Sequence, residues 1–155
     1  MTYVIYSFIV VALTAIDQYL KNLVTTYIPL KESITVIDGF FNLTYVQNFG
    51  AGFSIMQNAT TTFYILTPIC LAIFLYLLKT CDKRDYLTKS ALLLMIGGTM
   101  GNFLDRIFRI YVVDFLDFNL LGWDFPVFNF ADICLTVGVA LFIITVLKEN
   151  KNAKA

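Results

Sequence analysis

Histidine is absent from the 155-residue chain. That absence removes Ser-His-Asp and Cys-His nucleophilic catalysis, the HExxH zinc site and every histidine-ligated metal. Carboxylate, lysine or tyrosine is what remains for acid–base chemistry. Cysteine is scarce: Cys70, Cys81 and Cys134 form no CxxC pair and imply no disulfide framework. Cys70 and Cys134 lie in apolar runs, where a free thiol behaves as a small hydrophobe. Net charge is missing too, since eleven basic residues balance eleven acidic ones, and this argues against a nucleic-acid partner. What the chain has in excess is apolar surface. Hydrophobic residues make up 59% and the mean hydropathy is +0.76, well above a soluble domain. Its length has room for one domain, over 1–155.

Four segments read as membrane spans, over residues 3–24, 59–78, 86–105 and 130–147. Ala59 to Leu78 carries no charge and is long enough to cross a hydrocarbon core of about 30 Å; Pro68 within it predicts a kink. The run Val4 to Ile16 has no Lys or Arg ahead of it and no small-residue cleavage site, so it reads as a retained first span rather than a signal peptide. Lys79, Lys83, Arg84 and Lys89 crowd the loop between spans two and three, and Lys148, Lys151 and Lys154 follow span four. Both clusters belong in the cytoplasm by the positive-inside rule, which puts both termini inside. Arg106 and Arg109 then fall on the outer side, against the rule, and are expected to have partners.

Between spans one and two, Ser33–Ile37 and Phe40–Val46 are β-branched and aromatic runs separated by Asp38-Gly39, a hairpin signal. Val112, Val113 and Phe115 are expected to add a further strand. The expected fold is a mainly α membrane protein: a four-helix bundle with a small extracytoplasmic β-sheet, its hairpin region at about 33–48.

Five of the eleven acidic residues, Asp105, Asp114, Asp117, Asp124 and Asp132, lie between Gly101 and Asp132, a stretch that joins the last two spans. Ionisable groups near bilayer depth are expensive and mark functional sites. Asp114 follows span three and Asp132 opens span four, so both fall near the outer surface. Two carboxylates within a few ångströms share a proton; one then deprotonates a water while the other donates to a scissile carbonyl oxygen. Bland alternatives stand beside this: Asp132 as a helix N-terminal charge, Asp114 as a solvated loop carboxylate. Asn102, Asp105 and Arg106 are spaced to share one face of span three, where Gly97 and Gly101 permit close helix approach. Asp105 with Arg106 is expected to anchor the scaffold, and Asp17 with Lys21, at i and i+4, to form a buried ion pair. Asn48 and Gly50 are candidates to supply an amide and a close backbone approach to a bound peptide.

Gly52-Phe53-Ser54 imitates the GxS of a membrane serine protease, but that chemistry needs the missing histidine; a Ser54–Lys21 dyad has no sequence support. The GxGD motif of another class of intramembrane aspartic proteases is also missing. Two rival classes remain. A small proton- or cation-translocating protein using Asp17, Asp105 and Asp132 would spread its acids through the bilayer midplane, whereas these gather toward one face. A non-enzymatic assembly subunit accounts for the glycine spacing but not for the two aspartate motifs.

Asp17-Gln18-Tyr19-Leu20-Lys21, Asn48-Phe49-Gly50-Ala51-Gly52-Phe53, Gly97 through Arg106, Val112-Val113-Asp114-Phe115 and Phe128-Asn129-Phe130-Ala131-Asp132 occur in that order over nearly the whole chain. In this the chain resembles the bacterial lipoprotein signal peptidases (signal peptidase II). It departs at Leu20, where a small hydroxyl residue is common, and at Thr99 and Gly52, where alanine is common. The resemblance implies four spans, an outer β-cradle and catalytic aspartates at Asp114 and Asp132. Asn48, Asn102, Asp105, Arg106 and Asn129 would support or line the site. The implied substrates are prolipoproteins cut just before a diacylglyceryl-cysteine in the bacterial cytoplasmic membrane, with membrane lipid as the other partner, no metal or organic cofactor, and a monomer as the expected state.

Overall fold

The four apolar runs form helices, and the irregular stretches between them form one small sheet. The computed structural model describes residues 2–50 and 60–152. In chain order these are α1 (Thr2–Tyr27), β1 (Ser33–Ile37), β2 (Phe41–Asn48), α2 (Thr60–Thr80), α3 (Tyr86–Arg109), β3 (Val112–Leu120), β4 (Trp123–Asp124) and α4 (Phe130–Asn152). All four helices are long and apolar enough to cross a membrane. The Gly52-Phe53-Ser54 segment lies outside the described residues.

α3 is the central helix, packing against α1, α2 and α4. More than half of its most apolar window (56%) is buried, against 6% for α1 and for α2, whose free faces carry exposed Phe8, Val11, Ile65 and Ile73. A helix apolar on every side but buried on one is a membrane helix lining a bundle. The close approach to α3 comes from glycine on two faces. A Cβ at Gly97 would lie 2.9 Å from Leu13 of α1, and one at Gly98 would lie 2.5 Å from the Ala131 carbonyl oxygen of α4.

The span boundaries of α1 and α3 run past the expected ones, to Tyr27 and Arg109. Asp105, Arg106 and Arg109 are polar yet remain helical because each finds a partner within the bundle, as shown below. α3 is capped at its start by the Asp85 carboxylate, which accepts from the Thr88 N–H at 3.0 Å. It ends at Ile110, in the left-handed region (φ 72°), whose N–H returns to the Arg106 carbonyl at 3.2 Å. That turn feeds the chain straight into β3.

The sheet is antiparallel with order β1-β2-β3-β4. The first hairpin forms at Asp38-Gly39, where Gly39 has φ 68°. Its second strand starts at Phe41 rather than Phe40, because the Phe40 N–H closes the turn on the Ile37 carbonyl at 3.1 Å. β3 continues well beyond the expected Val112–Phe115 and reverses at Leu121-Gly122, both at positive φ (55° and 88°), into the unexpected β4. Two consecutive positive-φ residues make the tight turn that matches strand twist. Val24 of α1 and Ile28 just after it pack with Tyr45, Val113 and Phe115 of the sheet, which joins the sheet to one end of the bundle.

Candidate active site

Alternation along β3 decides where Asp114 points. Val113 and Phe115 enter the core shared with α1, so Val112 and Asp114 face the other way, into a cleft of about 570 Å³. Asn48 at the end of β2, Arg106 and Asn102 of α3 and Asp132 of α4 line the same cleft. Asp114 is 3% exposed. Its Oδ2 accepts from the Asn48 amide at 2.8 Å and its Oδ1 from the Asn129 amide at 2.6 Å. Burial, and then the negative charge of Asp132, push its carboxyl up to about 7, while the two amides pull the other way.

Asn129 joins the two carboxylates. Its Oδ1 accepts the Asp132 N–H at 3.0 Å, and its own N–H donates to Asp132 Oδ2 at 3.1 Å. This is a reciprocal capping box at the start of α4. Its side-chain amide meanwhile reaches Asp114 and, at 3.2 Å, Asn102 Oδ1. Asp132 is therefore a helix-capping residue with one oxygen and a cleft residue with the other, which accepts from the Asn102 amide at 2.8 Å. Its place at the helix start and its place in the cleft are compatible. Asp114 is not a solvated loop carboxylate.

Behind this pair lies a buried charge cluster. The Lys21 ammonium, fully buried, contacts Asp17 Oδ2 at 2.8 Å and Asp105 Oδ2 at 3.0 Å and donates to Asn102 Oδ1 at 2.9 Å. Three donors meet three acceptors, so the cation is satisfied. Each acid then holds a backbone N–H beside one cleft aspartate. Asp17 Oδ1 accepts from Ala131 at 2.9 Å, next to Asp132; Asp105 Oδ2 accepts from Val113 at 3.0 Å, next to Asp114. One lysine thus ties together the backbone on both sides of the cleft and, through Asn102, the side chain of Asp132.

Asp105 and Arg106, expected to anchor the scaffold, do so apart from each other. Neighbouring residues on a helix point about 100° apart, and Asp105 turns inward to Lys21 and to Arg109, whose Nε is 3.8 Å away. Arg106 turns to the cleft, where it donates to the Gly50 carbonyl at 2.9 Å and the Asn102 carbonyl at 3.1 Å and lies 4.4 Å over the Phe63 ring. Gly50 has its N–H taken by Asn48 Oδ1 at 2.9 Å, so both its backbone groups hold the end of β2 in place. Gln18 was missed by sequence reasoning: its amide donates to the Gly101 carbonyl at 3.0 Å and Asp105 Oδ1 at 3.2 Å. A polar side chain beside Asp17 inside an apolar span was the available signal. The backbone donors of Ala131 and Val113 leave no sequence signal at all.

The site as a whole is a pair of carboxylates in a cleft of the helix bundle, Asp114 buried and Asp132 half-buried, every oxygen of the two accepting a hydrogen bond from an amide or backbone N–H. The family model described as signal peptidase (SPase) II matches residues 9–148. A lipoprotein signal peptidase of Shouchella clausii is 44% identical over 140 residues, covering 90% of this chain and 91% of that one. One of Fusobacterium nucleatum is 41% identical over 151 residues, 97% of this chain and 90% of that one. Two solved structures of bacterial membrane enzymes superpose with TM-scores of 0.89 and 0.84, at 37% and 38% identity. They cover 95% and 92% of this chain, and 90% and 92% of theirs.

Proposed function

The chain belongs to the signal peptidase II family, and from that premise we propose that it is an aspartic endopeptidase with Asp114 and Asp132 as its catalytic pair. The observation that carries this is the shared cleft. Two carboxylates from different elements face one cavity, and burial plus mutual repulsion keeps Asp114 protonated to about pH 7. Near neutrality the pair then holds one proton. The ionised partner takes a proton from a water molecule as that water attacks the scissile carbonyl carbon. The protonated partner gives its proton to the carbonyl oxygen. Collapse of the gem-diol breaks the C–N bond: the carboxyl that took the water proton gives it to the leaving nitrogen, and the other carboxylate takes a proton from a diol hydroxyl as the carbonyl reforms, which restores the single shared proton. Asn102 and Asn129 act as positioning residues that touch the pair, Asp17 and Asp105 hold the N–H of the residue before each aspartate, and Lys21 holds both of those acids and Asn102. Asn48, Gly50 and Arg106 hold the cleft wall.

The substrate class follows from the relatives, which are lipoprotein signal peptidases. In this reading the peptide bond cut lies just before a diacylglyceryl-cysteine, the acyl chains staying in the outer leaflet while the bond reaches the cleft. The basic turn between α2 and α3 lies at the bundle end away from the sheet, which supports a cytoplasmic position for both termini and an outer position for the pair. A translocation path is not favoured, because Asp17, Asp105, Asp114 and Asp132 meet at one end of the bundle instead of spanning it. The test is cleavage of a diacylglyceryl-modified prolipoprotein by the purified chain in detergent, with the unlipidated precursor as comparison. Cleavage of the lipidated form alone supports the proposal; failure to cut it overturns it.

A further inference from the structure

The cleft does not stop at the aspartates. It continues along the bundle between α2 and α4, with α3 as its floor, and is lined there by Thr67 of α2, Thr99 of α3 and Thr136 of α4. These three threonines come from three helices and line one cleft. Thr136 lies one turn beyond Asp132 and Thr99 one turn below Asn102, whose amide meets Asp132, so these two are about 5 Å deeper than the pair; Thr67 lies one turn beyond Phe63, the ring that meets Arg106. Threonine in a helix commonly donates back to its own preceding turn. Thr26, Thr80 and Thr145 do so, to the carbonyls of Asn22, Tyr76 and Phe142. Among the described residues Thr67, Thr99 and Thr136 make no such bond, so their hydroxyls are not held by their own helices.

We propose that this ring of three hydroxyls is a subsite for unwound substrate backbone, binding the peptide carbonyls two or so residues before the scissile bond. The inference rests on the peptidase reading above. A signal peptide that crosses the bilayer as a helix has every carbonyl occupied by its own N–H groups. The bond to be cut must leave that ladder to meet the carboxylates. Unwinding then strands N–H and C=O groups at hydrocarbon depth, each at a cost of several kcal/mol if unpaired. The stranded groups lie on the deep side of the scissile bond, because the signal peptide enters from the cytoplasmic end. Extended chain advances about 3.3 Å per residue, so a depth of about 5 Å below the pair corresponds to one or two residues. A hydroxyl is both donor and acceptor and serves whichever backbone group faces it, which suits a site that takes many sequences.

The test compares initial rates on a diacylglyceryl-modified prolipoprotein for Thr67→Val, Thr99→Val and Thr136→Val, singly and together, with the all-serine triple variant and with Thr80→Val and Thr145→Val. Valine keeps the shape and removes the hydroxyl. Each single valine variant is expected to lose about three- to tenfold in kcat/KM, the worth of one hydrogen bond. The triple is expected to lose about a hundredfold, with thermal unfolding unchanged. The all-serine variant should stay within about threefold of the unmodified chain, and the two control variants should not change. A well-folded triple valine variant that cleaves at the unmodified rate overturns this subsite while leaving the peptidase reading intact. If the triple fails to fold, single variants within twofold of the unmodified chain overturn it equally. Loss in the all-serine variant matching that in the valine triple also overturns it, because packing and not the hydroxyl would then be responsible. If the unmodified chain does not cleave, it is the peptidase reading that falls.

Discussion

Asp114 is held by two side-chain amides and faces the charge of Asp132, and its protonation is where the proposed chemistry is most exposed to test. Asparagine keeps its shape but neither donates an acidic proton nor acts as a base. Asp114→Asn and Asp132→Asn are each expected to lower cleavage by about 10³-fold or more. The double variant should be little worse than either, since the pair acts as one unit. Asp124→Asn, at the far hairpin, is the control. The pH–rate profile should be bell-shaped with its alkaline limb near 7, a value belonging to the pair. The sign for stability follows. Folded Asp114 keeps its proton to about pH 7 whereas an unfolded aspartate releases it near 3.8. Its contribution to stability is therefore full below that lower value and is lost as pH rises through 7. Denaturation of Asp114→Asn across this window should be flatter with pH than that of the unmodified chain. Lys21 is the other sensitive residue. Lys21→Met leaves two buried carboxylates without their cation and should cost about 3–5 kcal/mol. Adding Asp17→Asn should restore part of that, and strictly additive losses in thermal denaturation would argue against the cluster as a unit.

At the scale of elements, the site depends on how close three helices come. Gly101 of α3 is where α1 and α4 both meet it: an added Cβ would lie 2.5 Å from Asp17 Oδ2 and 3.2 Å from the Ala131 Cβ. Asp17 holds the Ala131 N–H, so the clash falls on the contact that sets the start of α4. Gly101→Ala should cost about 1–3 kcal/mol and also lower activity, read as Tm and initial rate on the same preparation. Gly39 makes the contrast. Nothing lies within 4 Å of its added Cβ, and its substitution is resisted by its φ of 68° alone. Gly39→Ala should cost about 1 kcal/mol and leave cleavage unchanged, since that hairpin tip touches no cleft residue. Equal effects on activity from the two changes would contradict the close-approach account.

The whole molecule has a sense of direction. Three basic residues, Lys79, Lys83 and Arg84, mark the α2–α3 turn, and Lys89 follows in the first turn of α3. The sheet and the carboxylates lie at the other end. A reporter fused after Lys83 is expected in the cytoplasm and one inserted at Gly39 outside. A signal from outside at Lys83 would reverse the orientation and leave the proposed substrate unable to reach the cleft. α1 and α2 keep their outward faces apolar, as suits helices long enough to cross a membrane, and pack against α3 on the other side.

Hydropathy and the missing histidine determined much on their own. Length and apolar content required spans, Asp-Gly between β-branched runs required a hairpin, and the absence of imidazole left carboxylates as the natural acid–base groups. These are properties of single residues and of local periodicity, which is why they survive without the fold. Asp114 and Asp132 were candidates in the sequence because one follows span three and the other opens span four, which puts both near one surface. What decided their surroundings was tertiary. Lys21 belongs to three acceptors on two helices, Asp105 turned from its neighbour Arg106 to α1, and Asn129 became the bridge between two carboxylates. The β4 hairpin and the three cleft hydroxyls likewise came from packing. Interactions between residues eighty positions apart carry no local period, and a backbone N–H held by a distant carboxylate has no residue type to announce it.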